Sequence, residues 1–347
     1  MASRTRVPRP AWAKLSNTDL LQLRIKDLGL RLEGTWLEDA MAELDDELAE
    51  KGIRFRPHVW LSDEWFSPSG VPGFAIPFYL AHPRLMRLER TQMHAVEGGT
   101  WADLLRIVRH ETAHAIQHAY ALQRRKRYQQ TFGLSSTKYP EYYRPNPSSR
   151  RFVQHLPLWY AQSHPDEDFA ETFAVWVKPR SDWRRRYADW PALRKLEYVD
   201  ELMEEIGAER PLVKDRQKVE PAHAIKRTLA EHYAWKKEKY GPHFPNIYDR
   251  DLKRVFAETS PETRRAPTAA SFLSRERAEI RRMVAKWTGE YAFTIDVVLT
   301  DMIGRCRELK LRAVGRERQL LLDFVVLLTA KTMHYLYSAK PRDWIAL

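Results

Sequence analysis

Cysteine is almost missing from this 347-residue chain: Cys306 is the only one, so no intrachain disulfide can brace the fold and a reducing compartment suits it. Long apolar runs are missing too. The longest, LLLDFVVLLTA at 320–330, is too short to span a bilayer and carries Asp323. The opening residues, MASRTRVPRPAWAKL, hold basic side chains and prolines but no apolar centre, which is not the pattern of a secretory signal. No segment repeats. These absences predict a soluble, cytoplasmic protein with no membrane partner. What is present is ordinary for a globular chain, with 44% hydrophobic and 30% charged residues, and this composition excludes wholesale disorder. A formal charge of +12 favours acidic partners or substrates without naming one.

Residues 1–16 read as a flexible lead and 17–207 as the first folded domain. TWLEDAMAELDDELAEKG (35–52) has the pattern of an amphipathic helix, with Thr35 as N-cap and Gly52 as its stop. IRFRPHVWL (53–61) and FAIPFYLA (74–81) read as strands, each interrupted by a proline and therefore suited to an edge or a bulge. TWADLLRIVRHETAHAIQHAYAL (100–122) is a longer helix with a broad apolar surface and no internal Gly or Pro. The segment 125–164 is basic, aromatic and proline-broken, and predicts irregular structure near a cleft. Helical pattern returns at 164–177, opened by Pro165, and at 191–207. The polar stretch AERPLVKDRQKVEP marks a boundary near 208–221. Beyond it, 222–347 reads as a mostly helical region, with helices at 223–238, 270–289, 290–310 and 315–337.

The chemistry concentrates in RHETAHAIQHAY (109–120). A helix turns every 3.6 residues, so His110 and His114 project from one face, where two imidazoles can share a metal ion. Glu111 then lies where it can take a proton from metal-activated water. A catalytic zinc needs a third protein ligand. The metzincin continuation fails, because Gln117 stands where its glycine should be and Tyr120 where its third histidine should be. His118 lies too far along the axis to join His110 on one ion and reads as a polar cap on the helix surface. A second helix offers EDFAE (167–171). Glu167 and Glu171 lie four apart, so Glu167 can ligate while Glu171 accepts a hydrogen bond from the free N–H of a ligand histidine, His110 first. Asp166 and Asp168 compete with Glu167 for the ligand position. His155 and His164 are rival proton donors.

H-E-x-x-H followed by E-D-F-A-E resembles the glutamate-type zincins, and its wording is similar to the metal site of anthrax lethal factor. In that site a tyrosine seven residues before the glutamate ligand assists catalysis, and Tyr160 stands seven before Glu167 here. LSDEWFSPSGVPGFAIPFYLAHPRL, RHETAHAIQHAY and WYAQSHPDEDFAETFAVW together resemble the bacterial zinc-binding metallopeptidase family over roughly residues 50–205. The resemblance implies an α+β, zincin-like core, a small mixed sheet with active-site helices, followed by the helical C-terminal region.

The reading is a zinc-dependent peptidase with one zinc ion per chain, held by His110, His114 and Glu167. Glu111 is its general base, Tyr160 assists at the oxyanion, and Glu171 supports the ligands from behind. Its substrate is a peptide or protein, acidic by preference. Between 120 and 195 there are fifteen Lys/Arg against seven Asp/Glu, interleaved with Tyr128, Tyr139, Tyr142 and Tyr143. That surface could serve an acidic peptide or a nucleic acid, although no nucleic-acid module is visible. The expected groove has 73–81 as a strand edge on one side and Arg144, Arg150 and Arg151 on the other. The alternative is a zincin-fold metal-binding scaffold, or a nucleic-acid-associated protein, with little peptidase activity.

Overall fold

The computed structural model describes residues 10–140, 143, 146, 148–240 and 249–338. The chain divides into two compact units. Among the described residues, the first comprises those within 10–89 and 96–232, and the second those within 90–95, 233–240 and 249–338. The division falls inside two helices rather than at the polar stretch near 208–221.

In the first unit a short helix α1 (Asn17–Leu21) precedes α2 (Trp36–Glu50). Thr35 caps α2 by accepting the N–H of Leu37. Trp12 is buried and its indole N–H donates to the Leu28 carbonyl at 2.9 Å, so the lead is anchored at this residue. Residues 1–9 lie outside the described residues. Strands β1 (His58–Ser62) and β2 (Gly73–Pro77) pair in parallel, His58 opposite Gly73. A Cβ at Gly73 would stand 2.0 Å from the His58 carbonyl oxygen, so only glycine permits this start to the pairing. The sheet is thus two parallel strands, with one antiparallel bridge, Phe66 to Ala75, on the far side of β2.

That arrangement corrects the expectation of a strand edge open to substrate. All five residues of β2 are buried, and the Ala75 N–H already donates to the Phe66 carbonyl at 2.8 Å. Residues 78–81 are a 3₁₀ turn rather than more strand. Pro77 ends the strand because it has no N–H to continue the ladder.

Helix α3 (Pro83–Met93) leads to α4 (Trp101–Ala119), which is capped by Thr100 and lies against both β2 and α6 (Pro165–Val177). Pro165 occupies the first turn of α6, where a missing N–H costs nothing. Between them α5 (Lys126–Phe132) interrupts a segment expected to be irregular. Tyr128 and Phe132, one turn apart on α5, pack against Phe169 with ring centroids 5.2 and 5.5 Å away. The short α7 (Trp183–Arg186) and α8 (Leu193–Ile206) follow. Residues 208–232 stay with this unit. The N–H groups of Leu212 and Val213 donate to the Ala119 carbonyl, and the Trp60 indole donates to Val219.

The second unit holds most of α9 (Leu229–Tyr240), then α10 (Asp249–Val255), α11 (Ala269–Arg275), α12 (Arg277–Thr288), α13 (Ala292–Glu308) and α14 (Glu317–Ser338). Its core gathers Phe256, Phe272 and Phe324 with aliphatic side chains from α11 to α14. The fold is α+β, mostly helical. Among the described residues no helix is long and apolar enough to cross a membrane.

Candidate metal centre

Helices α4 and α6 cross so that three buried side chains converge. His110 Nε2 lies 3.0 Å from Glu167 Oε2, His114 Nε2 lies 3.3 Å from the same oxygen, and the two Nε2 atoms are 3.2 Å apart. Hydrogen bonds alone explain this triangle poorly, since one carboxylate oxygen is shared by two imidazoles that also face each other. A tetrahedral ion with bonds of about 2.0–2.1 Å requires its ligand atoms about 3.3 Å apart, which is the observed spacing. Among the described residues, His110, His114 and Glu167 form a group able to hold a metal ion.

The groups behind the triangle are equally ordered. Glu171 Oε1 sits 2.9 Å from His110 Nδ1, and its Oε2 accepts the Leu156 N–H at 2.8 Å. In the neutral form needed to ligate an ion, His110 would donate Nδ1–H to Glu171 and turn the Nε2 lone pair toward the centre of the triangle. Burial works against protonating His110, yet Glu167 and Glu171 outweigh it and hold the ion-free imidazole up to about 10. His114 is likewise raised by Glu167 against its burial, and Glu167 is held well below the usual carboxylate range by His114 and His110.

Glu111 is 1% exposed, and neither of its carboxylate oxygens has a hydrogen-bond partner among the described residues. Burial pushes its carboxyl up to about 7, against the pull of His110 and His114. Three buried carboxylates, Glu111, Glu167 and Glu171, therefore face two imidazoles, and neutral imidazoles leave this pocket short of positive charge. A divalent cation would supply that charge, and the donor set suits zinc.

Each remaining candidate has a definite place. Tyr160 lies on a 3₁₀ turn (Pro157–Gln162), its ring centroid 5.7 Å from that of His110. Trp159 just before it has φ 54, a left-handed conformation that costs a non-glycine residue about 1–3 kcal/mol. Asp166 does not reach the triangle: Ser135 donates to it at 2.5 Å and Gln117 at 2.7 Å. Asp168 pairs with Lys195 at 2.5 Å, tying α6 to α8, although burial still raises its carboxyl to about 7. His164 caps α6 by accepting the Asp166 N–H on Nδ1, while its Nε2–H donates to the Thr137 carbonyl, so both nitrogens are committed to backbone. His155 donates Nε2–H to the Arg106 carbonyl, and burial lowers it to about 4. The expectation that His118 is a surface cap is wrong. It is half-buried, its Nδ1 lacks a hydrogen-bond partner among the described residues, and burial lowers it to about 4.

Composition and spacing gave Tyr139 no individual role. Its hydroxyl donates to Glu167 Oε1 at 2.8 Å, and its ring stacks on His164 with centroids 3.6 Å apart. No spacing rule could have found it, because its position depends on a loop returning to α6. Tyr142 and Arg144 lie outside the described residues. Arg150 and Arg151 are exposed, with the Arg150 guanidinium 6.0 Å over the Trp190 ring.

Two histidines from one buried helix and a glutamate from another, with an unpartnered glutamate beside them, define a candidate His₂Glu metal centre of hydrolase type. Residues 87–183, the segment that holds the whole cluster, match the family described as "Putative zinc-binding metallo-peptidase". The match is narrower than the resemblance over 50–205 and leaves out β1 and β2. No curated protein and no solved structure matches the chain.

Proposed function

We propose that the protein is a zinc-dependent peptidase that hydrolyses peptide bonds, with one ion held by His110, His114 and Glu167. A bound zinc ion would supply Lewis acidity to a water molecule and to the scissile carbonyl. The chain's own residues do the rest. Glu171 fixes the His110 tautomer and ring orientation. Glu111 takes a proton from the attacking water and passes it to the leaving amine; an acid–base group held near 7 exchanges protons efficiently in both directions. The hydroxyl of Tyr160 donates to the oxyanion. The cationic residues of 124–151 favour acidic peptides, so cleavage of an acidic pool should slow as salt rises.

The observation that carries this reading is Glu111, a buried carboxylate with no hydrogen-bond partner among the described residues beside a cluster suited to zinc. A purely structural zinc site needs no base and is usually closed by a fourth protein ligand. The test combines metal analysis of the purified chain with turnover of a peptide library by the wild type and Glu111→Gln. Expected are one zinc per chain in both, and cleavage reduced about 10²–10⁴-fold in the variant. Zinc without turnover in the wild type would favour the scaffold reading, and equal turnover in the two proteins would remove Glu111 from the mechanism.

A further inference from the structure

Residues 154–157 form part of the wall of a cavity of about 680 Å³. None of His110, Glu111, His114, Glu167 and Glu171 lines it, so it is distinct from the metal centre. The charged side chains that line it are all cationic: Arg106, Arg109, Lys178, Arg180 and Arg186, with no Asp or Glu among its described lining. Arg109 is engaged by Glu47 through Nε at 2.7 Å and one terminal nitrogen at 2.5 Å, and Arg106 has only a 3.5 Å contact with Asp103. Lys178, Arg180 and Arg186 have no ion-pair partner among the described residues.

A basic surface on a chain of this charge is commonly just solvated, and Lys178 at the C-cap of α6 is favoured there by the helix dipole alone. Two observations go further. Three cations without an ion-pair partner among the described residues, Lys178, Arg180 and Arg186, converge on a concavity instead of spreading over a convex face, where they repel one another. The loop that carries them also departs from relaxed backbone: Arg180 has φ 54 and Asp182 φ 45, both left-handed and neither glycine. That cost is tolerated in the folded chain at the residue that brings a guanidinium to the cavity.

We propose that this cavity is a binding site for a phosphoryl group, carried by a small phosphorylated molecule or by free phosphate. Guanidinium groups present parallel N–H donors that match tetrahedral phosphate oxygens, and four of the five cations here are arginine. The volume falls in the range of small-molecule sites and exceeds what one phosphate ion fills.

The test is calorimetric titration of the full-length protein, at constant ionic strength, with inorganic phosphate, glycerol phosphate and acetate. Thermal midpoints are followed in parallel. Saturable binding of one phosphate or glycerol phosphate per chain is expected, weakened about tenfold or more in the double variant Lys178→Gln, Arg186→Gln. Both residues are exposed, so the variant should fold, and an unchanged midpoint without ligand checks this. Arg31→Gln, an exposed cation that does not line the cavity, should bind as the wild type does. Tighter glycerol phosphate would identify a phosphorylated metabolite as the ligand class, and equal affinity free phosphate. Non-saturable binding, an equal loss in Arg31→Gln, or acetate binding as well as phosphate would overturn the proposal.

Discussion

Glu171 spends one oxygen on an imidazole and the other on a backbone N–H, so its side chain has no freedom to relax. Glu171→Gln keeps the shape but loses the charge that supports His110. Zinc affinity should fall about 10–100-fold, measured by chelator competition, and an unchanged affinity would mean that the contact does not tune the ligand. The two tyrosines can be separated in the same way. Tyr139 touches the second oxygen of Glu167, whereas Tyr160 lies beside the His110 ring. Tyr139→Phe should weaken zinc binding by about tenfold, near the low end for a lost hydrogen bond to a charged group. Tyr160→Phe should leave affinity unchanged and lower kcat. A zinc defect in Tyr160→Phe alone would reverse the assignment.

Helices α2 and α4 are joined by a buried ion pair, with Glu47 4% and Arg109 7% exposed and two hydrogen bonds between them. Arg109→Ala leaves the Glu47 carboxylate uncompensated, so a loss of about 3–5 kcal/mol is expected from denaturant unfolding. The double change Glu47→Gln, Arg109→Met should cost clearly less, because no charge is left stranded. If both proteins lose the same stability, packing rather than charge pairing holds these helices. Helix ends were largely legible: Thr35 caps α2 and Pro165 opens α6. Helix α5 was not legible, since its reason to form is the contact of Tyr128 and Phe132 with Phe169, more than thirty residues on. The single helix expected at 270–289 is two, α11 and α12, with Glu276 between them outside either helix.

At the scale of the whole molecule, the second unit has an acid-sensitive centre of its own. Asp296 is 6% exposed and accepts from Arg277 and from Arg281 at 2.9 Å, with His94 Nε2 3.1 Å away. Burial opposes its ionisation, but His94, Arg277 and Arg281 together hold its carboxyl well below the ordinary carboxylate range. A lowered folded-state pKa contributes stability that is present above the unfolded value of about 3.9 and is lost as pH falls toward the folded one. Asp296→Asn should therefore cost about 2–3 kcal/mol at neutral pH, and the gap between the two proteins should close below about pH 4. Chemical denaturation across pH 2–7 measures this, and a gap that persists in acid would show that shape, not charge, is what the asparagine fails to replace.

The sequence by itself determined the periodic parts: an α+β chain rich in helix, histidines four apart on a helix, and glutamates four apart on another. Helical periodicity is local, so His110 and His114 share a face whatever surrounds them. What only the tertiary structure decided depends on segments far apart in the chain. It brings Glu167 to within 3.0 Å of His110, sets Tyr139 against Glu167, and closes β2 on both sides so that no strand edge is left where one was expected. It also lets residues 208–232 pack within the first unit, beyond the polar stretch. The physical reason is the same in each case: burial and hydrogen bonding across long loops are not encoded in any local spacing, because their energy appears only when distant surfaces meet.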